Sequence, residues 1–122
     1  MRHNCRSTHL GRRTGHRMSM LNNLATSLFT HKRITTTHAR AKEVQKIAEH
    51  LITLAKKGDL AAKRQVFRYI HNRDVAADLF GVIAPQYNES ANQAERKSGF
   101  TRIIKIGHRV GDAASMVLLE LV

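Results

Sequence analysis

The first 42 residues of this chain hold nine lysines and arginines and no aspartate or glutamate, and residues 1–15 among them show no apolar periodicity. Both absences restrict the fold. A segment without carboxylates cannot neutralise its own charge, and one without an apolar face cannot offset the roughly 1 to 2 kcal/mol of backbone entropy lost per ordered residue. Residues 1–15, where Arg2, His3, Arg6, His9, Arg12 and Arg13 alternate with Asn, Ser, Thr and Gly, are therefore expected to form an arm that orders only on a partner. The core must come from residues 16–122, enough for a single domain with one modest hydrophobic core. With four Phe, two Tyr and no Trp, that core is expected to be mostly aliphatic.

Apolar spacing divides the rest of the chain. Thr14 is placed to cap a helix reaching about His31, with Leu21, Leu24, Ala25 and Leu28 on one face. Residues 33–36 favour extended backbone because Ile34 and the threonines after it are stiff at the first rotamer, and Thr37 is placed to cap the next helix. That helix, over about 38–57, carries Val44, Ile47, Ala48, Leu51, Leu54 and Ala55 at helical spacing, and Gly58 suits its left-handed end. Asp59 reads as the cap of a third helix with Leu60, Val66, Phe67 and Ile70, and Asp74 as the cap of a fourth with Val75, Leu79, Phe80 and Ile83, ended by Pro85. Residues 86–98 are polar and without a core pattern, which predicts a loop. Two β-prone runs, 100–107 and 114–122, joined by a turn containing Gly111 and Asp112, predict a hairpin. The expected class is α+β: about four helices packed against a small mixed sheet, made from the short strand and the hairpin, behind an extended basic arm.

The formal net charge is +12. Phosphate backbones are the commonest biological source of the counter-charge this demands, so nucleic acid is the expected partner. An anionic membrane surface is the competing reading, but a membrane-surface helix needs bulky apolar residues opposite its cations, and residues 1–17 offer only Leu10 beyond Met1 and Cys5. The single cysteine, Cys5, cannot close an intramolecular disulfide and fits a reducing, intracellular compartment. No apolar run approaches the roughly 18 residues of a spanning helix, and the start lacks the apolar stretch of a signal peptide.

Chemistry beyond charge finds little support. His3, Cys5, His9 and His16 are suitable zinc ligands, yet their spacing matches no finger or ribbon, and the histidines read better as surface groups that hydrogen-bond phosphate or ribose. No Ser, His and Asp set, no phosphate-binding glycine loop and no pair of histidines spaced for a ribonuclease cleft stands out, so no catalytic residue, cofactor or metal is expected. The cations are the better signal. Arg2, Arg6, Arg12, Arg13 and Arg17 are expected on phosphates, where the guanidinium fork donates two parallel bonds. Arg33, Arg40 and Lys42 continue the positive surface, the last two fitting nucleic-acid contacts and ordinary exposed helix positions equally. Lys63, Arg64, Arg68 and Arg73 read as a solvated helix face, with a second contact surface as the alternative. Around the hairpin, Arg96, Lys97, Arg102, Lys105 and Arg109 cluster, Arg102 and Arg109 being candidate RNA contacts, while Phe100 beside them reads as core before it reads as a base-stacking platform.

These residues together resemble one family, the bacterial-type large-subunit ribosomal protein seventeen. Met1-Arg2-His3, Leu10, Arg12, His16-Arg17, Met20, Asn23-Leu24, Ser27-Leu28, His31, Arg33-Ile34 and Thr36-Thr37 are similar to its N-terminal signature. Ala41-Lys42-Glu43 and the run from Leu51 to Lys56 continue it, and Gly99 to Ile103, Gly107, Arg109, Gly111 to Ala114 and Glu120-Leu121-Val122 resemble its end. The likeness starts at Met1, which argues against reading the Arg-rich start as an organelle transit peptide. It departs from the family in the arm, where Asn4, Cys5, Ser7 and Thr8 stand in place of further basic residues. The resemblance implies helices packed on a small sheet and a structural, non-catalytic role on large-subunit (23S) rRNA in the cytoplasmic ribosome. It also implies a position near the rim of the polypeptide exit tunnel, beside proteins such as thirty-two and twenty-two. The alternative reading is a free-standing nucleic-acid-binding protein.

Overall fold

The computed structural model describes residues 1, 3, 8–88 and 94–122; Arg2, Asn4, Cys5, Arg6 and Ser7 lie outside the described residues. Helix α1 spans Thr14–His31, strand β1 Arg33–Thr37, helix α2 His38–Lys57 and helix α3 Leu60–Tyr69. Helix α4, Arg73–Asp78, runs on through a π-helical turn, Leu79–Ile83, into a last α-turn, Ala84–Gln86. Strands β2, Thr101–His108, and β3, Ser115–Leu121, complete an α+β fold.

Helix α2 is the spine. It packs against α1, α3 and all three strands. Ala41, Ala48 and Ala55 recur every seven residues on its buried side, and their small side chains let neighbours approach while Val44, Leu51, Ile52 and Leu54 fill the space between. The sheet order is β1-β3-β2. Both seams are antiparallel, so the sheet is not mixed as expected: β3 returns from the hairpin to lie between its partner and β1, pairing Ile34 with Leu119 and Ile103 with Leu119 from either side. Val117 and Leu119 of this central strand are fully buried beneath α2, with Phe29 and Phe100 as the largest buried rings.

Several local expectations are corrected. Thr14 is the first residue of α1, not its cap; Arg13 holds the capping position without a side-chain bond. Ahead of it Leu10 (φ 54°) and Gly11 (φ 66°) adopt consecutive left-handed conformations, closed by a 3.2 Å bond from the Arg12 amide to the His9 carbonyl. Leu10 packs against the core, which ties the end of the arm to the body. Thr37 does hold the capping position of α2, again without a side-chain bond. Asp59 caps α3 by accepting from the Ala62 amide at 2.6 Å, but α4 is capped by Asn72, two residues before the expected Asp74. Pro85 does not stop the helix at once: the ladder widens to a π turn just upstream, where the Gly81 carbonyl can receive no N–H from proline.

Two aromatic residues also fall differently. Phe67, expected in the core, is exposed on α3 together with Leu60, because Ala62, Val66 and Ile70 take the inward side. Tyr87 lies in the segment expected to lack a core pattern, yet it is buried, with its ring 4.8 Å from that of Phe100. Burial raises its phenol above the ordinary pKa, and the nearby Arg96 opposes that shift. Phe100 is core, as its reading beside the hairpin favoured.

Candidate nucleic-acid interface

The turn before α1 brings three of the expected contact residues together. Arg12 Nη1 donates to the Leu10 carbonyl at 2.7 Å, and Arg17 Nη1 reaches the Arg12 carbonyl and the Nδ1 of His9, each at 3.4 Å. Leu10, held against the core, fixes this cluster where the arm meets the body. Arg13 and His16 are exposed on either side of the helix start, and His3 is exposed further out. Arg2 and Arg6 lie outside the described residues.

Electrostatics sharpen the cluster. Among the described residues, Arg12, Arg13 and Arg17 have no carboxylate within ion-pair distance, and neither do Arg33, Arg40 or Lys42. The first turns of α1 and α2 contain no acidic residue either. The N-terminal end of a helix carries roughly half a positive charge, where a carboxylate typically adds about 0.3 to 1 kcal/mol and a cation opposes. Here Arg13, His16 and Arg17 surround one such end and His38 and Arg40 the other. An anion is the kind of group that such ends favour, since their first backbone N–H groups have no intrahelical acceptor.

β1 places Arg33 at the exposed edge of the sheet, and α2 carries Lys42 exposed and Arg40 half-buried one turn in from its start. The hairpin arginines are held differently. Arg102 Nε donates to Glu120 at 2.8 Å, across the β2–β3 seam. Arg109 grips Asp112 through both Nε, at 3.1 Å, and Nη2, at 2.6 Å, while the Ala114 amide donates to the same carboxylate. These bonds hold Asp112 down to a pKa of about 2, the Arg109 hydrogen bond being the main cause, and the same bond raises Arg109. Both hairpin forks are thus occupied by carboxylates, whereas among the described residues Arg12, Arg13, Arg17, Arg33, Arg40 and Lys42 are not.

Little else converges. Among the described residues no group of three or more His, Cys, Asp and Glu side chains is placed to hold a metal, and no helix is long and apolar enough to cross a membrane. A concavity at the end of α2 is lined by Thr53, Lys56, Lys57, Asn88, Glu95 and Lys97, but two of these residues, Lys56 and Glu95, are bonded to each other. There Lys56 donates to Glu95 at 2.9 Å and to the Arg96 carbonyl at 2.6 Å, and its ammonium lies 5.6 Å from the Phe100 ring centroid.

Relatives carry the same chain plan. The large ribosomal subunit protein bL17 of Desulforamulus reducens is 62% identical over 112 residues, covering 92% of this chain and 95% of its own length. That of Desulfitobacterium hafniense is 60% identical over 113 residues, with 93% and 96% covered. The bL17 protein of Trichlorobacter lovleyi is 51% identical over 122 residues, so its alignment includes the whole acid-free arm, 100% of this chain and 94% of its own. Residues 20–122, from within α1 to the last strand, match the family described as ribosomal protein L17, and on both grounds this chain belongs to that family.

Proposed function

We propose that this protein is a non-catalytic structural constituent of the large ribosomal subunit that binds large-subunit rRNA through its arm and the basic edge of its body. Membership in the family makes it a ribosomal protein of the large subunit, part of a ribonucleoprotein that serves translation in the cytoplasm. The observation that carries the RNA-binding reading is that, among the described residues, Arg12, Arg13, Arg17, Arg33, Arg40 and Lys42 have no carboxylate partner and the starts of α1 and α2 hold no acidic residue. In this reading His3, His9, Arg12, Arg13, His16 and Arg17 line the arm contact with Arg2 and Arg6, and Arg33, Arg40 and Lys42 extend it over the body. Arg102 and Arg109 contribute only where rRNA displaces or shares their carboxylates. The family likeness adds a position near the exit-tunnel rim, with proteins thirty-two and twenty-two as neighbours.

Sucrose-gradient fractionation tests the assignment. The protein is expected to comigrate with large subunits at moderate salt; a pool found wholly outside ribosomes overturns the ribosomal reading in favour of a free-standing nucleic-acid-binding protein. Substituting Arg12, Arg13 and Arg17 together by Ala tests the anchor. Each lost phosphate contact lowers the slope of log K against log salt by about 0.9 on a duplex-like polyanion, so an unchanged slope removes the arm from that role.

A further inference from the structure

Helix α3 buries Ala62 and Val66 against α2 and turns an unusual face outward. Leu60, Lys63, Arg64, Phe67 and Arg68 share one side of the helix, Lys63 and Arg64 standing three and four residues after Leu60, and Phe67 and Arg68 four residues after Lys63 and Arg64; every one of them is exposed. Leu60 is 64% and Phe67 44% exposed. A face kept only for solubility has no use for a leucine and a phenylalanine at its centre line, because interleaved charge alone does that work. The helix contains no acidic residue. The carboxylate at its cap, Asp59, is taken by the Ala62 amide. Among the described residues Lys63, Arg64 and Arg68 have no ion-pair partner; the Lys63 ammonium rests 5.9 Å from the Phe80 ring centroid.

We propose that this outward face of α3 is a second RNA-contact surface, separate from the arm, in which Lys63, Arg64 and Arg68 meet phosphates and Phe67 lies against a base or ribose. It rests on the rRNA-binding reading above and adds a site to it. Charge complementarity selects the occupant. Cations three and four residues apart on a helix stand about 5 to 6 Å apart at their Cβ atoms, a spacing that successive phosphates of one strand can meet. A protein partner has to aim several carboxylates at the same short face. An exposed aromatic between cations is also the arrangement by which nucleic-acid surfaces stack bases without reading sequence.

The test is a salt titration of the full-length protein on a transcript of large-subunit rRNA, comparing wild type, the arm variant with Arg12, Arg13 and Arg17 changed to Ala, and a helix variant with Lys63→Ala, Arg64→Ala and Arg68→Ala. The helix variant is expected to lower the slope of log K against log salt by about 2 to 3. Phe67→Ala is expected to weaken binding about tenfold with the slope unchanged. The charge-keeping variant Arg64→Lys with Arg68→Lys should keep the wild-type slope; if its slope falls like that of the alanine variant, the effect does not follow the charge and the proposal falls. A wild-type slope in the helix variant, beside a reduced slope in the arm variant, overturns the α3 surface and leaves the rRNA reading standing. A wild type that binds the transcript without salt dependence overturns both. Unchanged rRNA affinity with release of the helix variant from large subunits at lower salt assigns the face to a protein neighbour and overturns the RNA proposal.

Discussion

Glu49 shows how much one side chain in the middle of α2 can decide. Its carboxylate accepts from the Phe100 amide at 3.2 Å, the Thr101 amide at 2.9 Å and the Thr101 hydroxyl at 2.7 Å, so it fastens the first residues of the hairpin to the spine. Glu49→Ala leaves two amides at the sheet's start without that acceptor and should destabilise the protein by about 2 kcal/mol, measured by urea unfolding. Asp112 sets the other end of the hairpin. Its folded pKa of about 2 lies below the ordinary 3.8, so its contribution to stability is present above about pH 4 and is lost as pH falls through about 2. An NMR titration of the Asp112 carboxyl should show that low midpoint, and Arg109→Gln should return it toward the ordinary value. The role of Glu49 is not legible in the chain, since it stands 52 residues from Thr101.

Among the elements, α2 is the most local and the most readable. Its apolar spacing and Gly58, at φ 67° and donating to the Leu54 carbonyl, mark its course and its end within a single stretch of sequence. Asp59 is equally local, and Asp59→Ala should cost about 1 kcal/mol of stability by thermal unfolding through loss of the Ala62 cap. The start of α4 was less readable because Asn72 and Asp74 both suit a cap, and only the backbone path shows that the Asn72 side chain accepts from the Asp74 and Val75 amides. The orientation of α3 followed the same logic. Leu60 and Phe67 on one side and Val66 and Ile70 on the other give two apolar faces, and the contact with α2 chooses between them.

At the scale of the whole molecule the excess of twelve positive charges opposes compactness, and nine of the lysines and arginines stand before Glu43, in a segment that contains no aspartate or glutamate of its own. The melting temperature of the free protein should therefore rise as salt is raised from about 10 to 150 mM, where the Debye length shrinks to about 8 Å; a melting temperature that falls or stays flat contradicts this account of the charge. The candidate interface was legible to the extent that it is made of missing acids, a property that any count along the chain reveals. What the chain by itself determined is the α+β class, the limits of the helical spine and the concentration of positive charge in its first third, because periodicity, turn residues and charge are local or additive. Only the tertiary structure decided the antiparallel order of the sheet, the burial of Tyr87, the pairing of Arg102 with Glu120 and the outward turn of Phe67. Those depend on which surfaces meet, and contacts between residues far apart in sequence leave no periodic trace in it.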